Sequence, residues 1–118
     1  MRDHTKLRAF EIADENVMEI YRVTKVFPKE EMFGLSSQLR RSGTSVASNI
    51  VEGCARNSQA DYLRFLDLAY SSAKEFEYQL SIADRLDYSN DLPGLREKAS
   101  EAARVLNGLI QALRKRPS

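Results

Sequence analysis

The sequence predicts an all-α fold, an antiparallel up-down-up-down four-helix bundle. Three observations point there: four stretches of helical apolar periodicity, short connections between them, and only five glycines and three prolines in 118 residues. Short connections favour antiparallel neighbours. Hydrophobic residues make up 42% and charged residues 30%, the balance of a folded soluble chain. Residues 1–118 form a single domain with frayed termini, because splitting so short a chain would leave two marginal cores.

The first periodic segment carries Phe10, Ala13, Val17, Ile20 and Tyr21 at steps of three and four, extended by Thr24 and Phe27. It ends at Phe27-Pro28, because a residue before proline is pushed out of the helical region. Lys29 to Gly34 reads as a connection, with Met32 or Phe33 folding over the end of the core.

A second helix starts near Leu35 or Ser36 and turns Leu39, Ser42, Val46, Asn49, Ile50 and Gly53 inward, ending around Gly53 to Arg56. This stripe is small and polar, and its serines and Gly43 weaken intrinsic helicity. Close helix contact through the small residues is one reading; a loop or kink near Gly43 is the other.

Asn57 and Ser58 offer cap oxygens for the third helix, and Asp61 favours its first turn. Tyr62, Leu66, Ala69, Ala73, Phe76, Leu80 and Ala83 then alternate steps of four and three over a helix approaching ~40 Å. Leu63, Phe65 and Tyr70 widen its apolar surface toward several elements or another subunit. Asp87 to Gly94 contains Asn90-Asp91 and Pro93-Gly94 and reads as a turn. The last helix shows Leu95, Ala99, Ala102, Leu106, Leu109 and Leu113, with Ile110 adjacent, and Pro117 closes it. Gly108 interrupts good helix-forming sequence, for which close packing is the simplest reason.

The chemical inventory is thin. His4 is the only histidine, which excludes a His-x-x-x-His zinc pair and the repeated Glu-x-x-His elements of a di-iron bundle. Cys54 is the only cysteine, so no intrachain disulfide forms; a reducing, cytoplasmic setting is expected. No phosphate loop, dinucleotide fingerprint, signal-peptide core or membrane-length apolar run is present. The expectation is a non-enzyme with no catalytic residue, cofactor, metal or membrane association.

Two groups are candidates for recognition. Asn49, Glu52 and Arg56 step along one helix face, where amide, carboxylate and guanidinium can interact. They close hydrogen bonds at a bundle end or subunit seam, or form a ligand or nucleic-acid surface to which Arg40 and Arg41 add phosphate contacts. After Glu101 no acidic side chain follows, while Arg104, Arg114, Lys115 and Arg116 bring a local charge of +4 against a net +1 for the chain. Those cations answer the dipole of a last helical turn or meet phosphate.

At these residues the sequence resembles a known family. Gly34-Leu35-Ser36-Ser37-Gln38-Leu39-Arg40-Arg41-Ser42, followed by Ser45-Val46-Ala47-Ser48-Asn49-Ile50-Val51-Glu52-Gly53, is similar to the bacterial four-helix bundle proteins associated with 23S ribosomal RNA intervening sequences. That family shows G-L-x-x-Q-hydrophobic-R-R and then S-I-P-x-N-I-A-E-G. The likeness continues through Ile20-Tyr21, Thr24 and Phe27-Pro28 upstream, and Tyr62 to Leu66, Ala69, Ser72, Glu75 and Gln79-Leu80 downstream. Phe10 stands where the family often has tryptophan, Ala47 replaces the usual proline, and Val46 and Val51 replace a common isoleucine and alanine. The resemblance implies a ring-shaped homo-oligomer, a pentamer being the best-known arrangement, and no established catalytic set. A similar accessory protein of diversity-generating retroelements works with nucleic acid through a basic surface. The leading functional expectation is therefore a structural or interaction protein forming a homo-oligomer; the alternative is an RNA- or DNA-binding accessory protein.

Overall fold

The computed structural model describes residues 2–117. Four helices run through it: α1 (Arg8–Val23), α2 (Leu35–Cys54), α3 (Gln59–Arg85) and α4 (Leu92–Arg114). Each packs on its neighbours in the chain, and α4 returns to α1, giving the cyclic order α1-α2-α3-α4 of a four-helix bundle, 48 × 21 × 20 Å. Among the described residues no helix is long and apolar enough to cross a membrane.

The buried stripe of α1 is Ala9, Ile12, Ala13, Asn16, Ile20 and Val23, rotated from the one the sequence predicts. Val17 is half-buried and Tyr21 exposed. Asn16 goes inward because its Nδ2 donates to the Lys98 carbonyl of α4 at 3.3 Å, and a buried amide needs such a partner. Past Val23 the chain tightens into a 3-10 turn, Thr24–Val26, and Phe27 is extended as Pro28 requires. Met32 and Phe33 do not fold over the core; both are exposed, Phe33 by 93%.

Helix α2 runs unbroken through Gly43, so the loop alternative falls. The space that glycine leaves is taken by Phe76, whose ring carbon lies 3.1 Å from where a Gly43 Cβ would stand. Ala47 is buried within the same helix. Before α2, Glu31 reaches forward and its Oε1 accepts from the Leu35 amide at 3.0 Å, while its Oε2 accepts from the Tyr88 hydroxyl at 2.7 Å. These two donors hold the Glu31 carboxyl below its ordinary proton affinity.

Helix α3 starts at the Ser58 cap, whose Oγ accepts from the Asp61 amide at 3.1 Å. Two residues past its end the chain turns through a left-handed residue, Asp87, with φ 58°. Helix α4 begins at Leu92, three residues before the first apolar position assigned to it from sequence. Pro93 lies in its first turn, where the missing amide hydrogen costs nothing. Ile110 is buried and Leu109 only half-buried, reversing their predicted order.

Gly108 is also a correction. It is exposed and nothing lies within 4 Å of a Cβ added there, so close packing does not explain it. Gly108→Ala is expected to raise stability by ~0.5–1 kcal/mol in denaturant unfolding, because alanine loses less backbone freedom in a helix.

The core divides into two clusters. One gathers Ile50, Cys54, Tyr62, Leu66, Leu106 and Ile110; the other gathers Ile20, Leu39, Phe76, Leu80, Leu92 and Leu95. At the waist lies a void of about 10 Å³ lined by Ala13, Asn16, Gly43, Val46, Ala73, Phe76, Ala99 and Ala102, two residues from each helix.

Candidate functional site

The motif residues of α2 that leave the core converge with α3. Gln38, Arg41, Ser42 and Ser45 step by three and four along α2, and Glu75 and Gln79 step by four along α3. Together they line a groove of about 470 Å³. Its floor is tied polar group to polar group. The Ser42 hydroxyl donates to Gln79 Oε1 at 2.6 Å, and the Ser45 and Ser72 hydroxyls share a 2.8 Å hydrogen bond. The serines that weaken α2 as a helix are thus used as short cross-links between helices.

The groove is unfinished on its outer side. Gln79 is 8% exposed, yet among the described residues its Nε2 donates no hydrogen bond. Arg41 and Glu75 are exposed and, among the described residues, make no ion pair or side-chain hydrogen bond. Among the described residues no cluster of three or more His, Cys, Asp or Glu side chains could hold a metal ion.

The other candidates are dispersed. Arg40 belongs to the fold: its Nε donates to Thr24 Oγ1 at 2.8 Å, its NH2 to the Tyr21 carbonyl at 3.4 Å, and its guanidinium lies 4.7 Å from the Tyr21 ring centre. A cation at the C-terminal end of α1 also offsets that helix's dipole. Glu52 and Arg56 do pair, at 3.1 Å, but Asn49 turns back to the Ser45 carbonyl at 2.9 Å and joins neither. Arg114 forms a forked pair with Asp67 at 2.8 and 2.9 Å, while Lys115 and Arg116 are exposed beyond α4. Arg41 and Arg56 lie ~20 Å apart along the bundle, so the predicted cations do not form one patch.

Sequence reasoning missed several residues. Gln38, Glu75 and Gln79 carry the groove, and their signal was the matching three-and-four spacing on two consecutive helices. Arg2 and Arg64 join Arg56 at one bundle end. Arg56 and Arg64 lie 4.5 and 4.4 Å from the Phe65 ring centre, and Arg2 lies over Tyr62 at 4.0 Å while donating to the Arg56 carbonyl at 3.1 Å. An aromatic residue flanked by arginine on α3 was the available clue.

His4 sits in a short 3-10 turn with its ring against Phe10, 4.7 Å between centres. Cys54 is buried beside Tyr62. Burial pushes the Tyr62 hydroxyl up to about 12, with the neighbouring Cys54 adding to the shift, and burial pushes the Cys54 thiol up as well. Both acids keep their protons in the folded state after the unfolded chain has lost them. Stability should therefore fall as pH rises from 10 toward 12, with Tyr62 contributing at most ~1.4 kcal/mol per pH unit. In urea unfolding across that window, Tyr62→Phe is expected to flatten the fall.

Residues 5–108 match the family described as 23S rRNA-intervening sequence protein. A solved structure, described as a protein with unknown function from the S23 ribosomal protein family of Bacteroides thetaiotaomicron, is similar to the chain at 26% identity and a TM-score of 0.79. The similarity covers 87% of this chain and 95% of that one. No curated protein matches the chain. With most of its length matched and the same four-helix architecture in a solved relative, the chain belongs to the 23S rRNA-intervening sequence protein family.

Proposed function

We propose that this is a non-enzymatic structural or interaction protein of the cytoplasm that assembles with copies of itself, in a ring of five as the family resemblance implies. One observation carries the reading. The residues Gln38, Arg41, Ser42, Ser45, Glu75 and Gln79, all within the resembling segments, gather on one outer face around a groove whose Arg41, Glu75 and Gln79 Nε2 have no protein partner there. A face of that kind suits protein contact better than chemistry. Multi-angle light scattering over micromolar concentrations should give a mass several times the 13.4 kDa of one chain; a strict monomer overturns the reading.

A second reading, an RNA- or DNA-binding accessory protein, is favoured by the charge at one bundle end. Arg2, Lys6, Arg8, Arg56, Arg64, Arg114, Lys115 and Arg116 stand against Asp3, Glu11, Glu52, Asp61 and Asp67, a net of +3 at the end where α1 and α3 begin and α2 and α4 finish, and Arg8 also reaches Glu101 at 2.8 Å. Phosphate contacts would make binding fall steeply with salt. Titration of a single-stranded RNA at two salt concentrations tests it, and no binding at the lower one removes it.

A further inference from the structure

We propose that the partner of the α2–α3 groove is the α1–α4 groove of a second copy, so that each protomer offers two different faces and the contact runs head to tail. The inference rests on the homo-oligomer reading above and names its interface.

The cyclic order of the helices puts the α1–α4 groove on the opposite side of the bundle from the α2–α3 groove. Its lining includes Glu15, Glu19, Arg22, Asp91 and Lys98. Arg22 is used internally, 2.8 Å from Glu19 and 3.3 Å from Asp91. Glu15 makes no ion pair or hydrogen bond among the described residues, and Lys98 has only a loose contact with Glu101 at 3.8 Å. Each groove thus holds one cation and one anion with little or nothing to meet at home: Arg41 and Glu75 on one side, Glu15 and Lys98 on the other.

Their heights agree. The central void takes Asn16, Gly43, Phe76 and Ala99 from the four helices, so these residues lie at one level. Glu15 and Glu75 lie one residue to one side of that level, Lys98 one and Arg41 two to the other, a spread of ~4.5 Å that long side chains bridge. Two parallel bundles side by side, with no slide between them, bring α2 of one against α1 of the next and α3 against α4. Arg41 then faces Glu15 of the next copy, and Glu75 faces its Lys98. The Gln79 amide is left in the same groove to find an acceptor on that copy. Matching heights remove the slide that would turn a head-to-tail contact into an open helix; a turn of each copy about the bundle axis then closes the ring.

Charge reversal tests the pairing. Arg41→Glu alone places like charges against Glu15 of the neighbour, and Glu15→Arg alone places like charges against Arg41. Each is expected to raise the dissociation constant of the assembly at least ~10-fold in sedimentation velocity. The double variant, in which every seam again pairs opposite charges, should assemble again. Lys29→Glu, the same charge change on the exposed α1–α2 connection, is the control and should leave assembly as it is. All these positions are exposed, and circular dichroism checks that the helices persist. If the wild type assembles but both single variants assemble equally well, or the double variant fails to recover, the pairing is overturned while the oligomer reading stands. If the wild type is a monomer, both fall.

Discussion

Phe76→Ala is expected to cost ~3–5 kcal/mol, enough to consume much of the 5–15 kcal/mol that holds a domain of this size folded. Phe76 is 3% exposed, packs in the cluster with Ile20, Leu39 and Leu80, and borders the void at the waist. Its ring also occupies the space above Gly43, where no side chain can substitute for it. Truncation would therefore join the new cavity to the existing one, and alanines and a glycine cannot lean in to fill it. Guanidinium unfolding should show the loss. Phe76→Leu, which keeps most of the volume, should cost less than half as much.

Gly53→Val is the second large effect, expected at ~3 kcal/mol or more. An added Cβ would stand 3.0 Å from the Phe65 Cβ, 3.2 Å from the Tyr62 ring and 3.3 Å from the Tyr62 carbonyl oxygen. Two of these three neighbours are backbone or the root of a side chain, so relief requires α2 and α3 to separate at their shared end. Thermal unfolding should fall accordingly, and Gly53→Ala should lie between the two. Gly43→Ala is the informative contrast. Its close neighbour is only the Phe76 ring, which has the void to move toward, and alanine returns up to ~1 kcal/mol of helix propensity. That variant should lie near neutral.

The helices were legible because Leu39 of α2, Leu66 and Leu80 of α3 and Leu106 of α4 each sit in an apolar stripe of helical spacing, and all are fully buried. The rotation of α1 was not. Phe10, Val17 and Tyr21 compete with Ile12 and Asn16 for the inner face, and polarity alone assigns Asn16 outside; only the Lys98 carbonyl across the bundle reverses that. Tyr21 stays out because Arg40 covers its ring, a contact between residues 19 apart in sequence. Pro93-Gly94 looked like a turn because proline marks both turns and first helical turns, and local sequence does not separate them. The groove was half legible: Arg41 was named from its motif, but its companions Glu75 and Gln79 became a site only once α3 lay beside α2.

The waist has a consequence for how the molecule breathes. Large side chains interlock above and below it, but of the eight residues lining the layer between, four are alanine, one is glycine and one asparagine, which transmit little of a disturbance from one side to the other. The two halves should then behave as separate opening units. In native-state hydrogen exchange of a protein destabilised near Leu80, the amides around Leu66 and Ile110 should keep their protection after those around Leu39 and Leu92 have lost it.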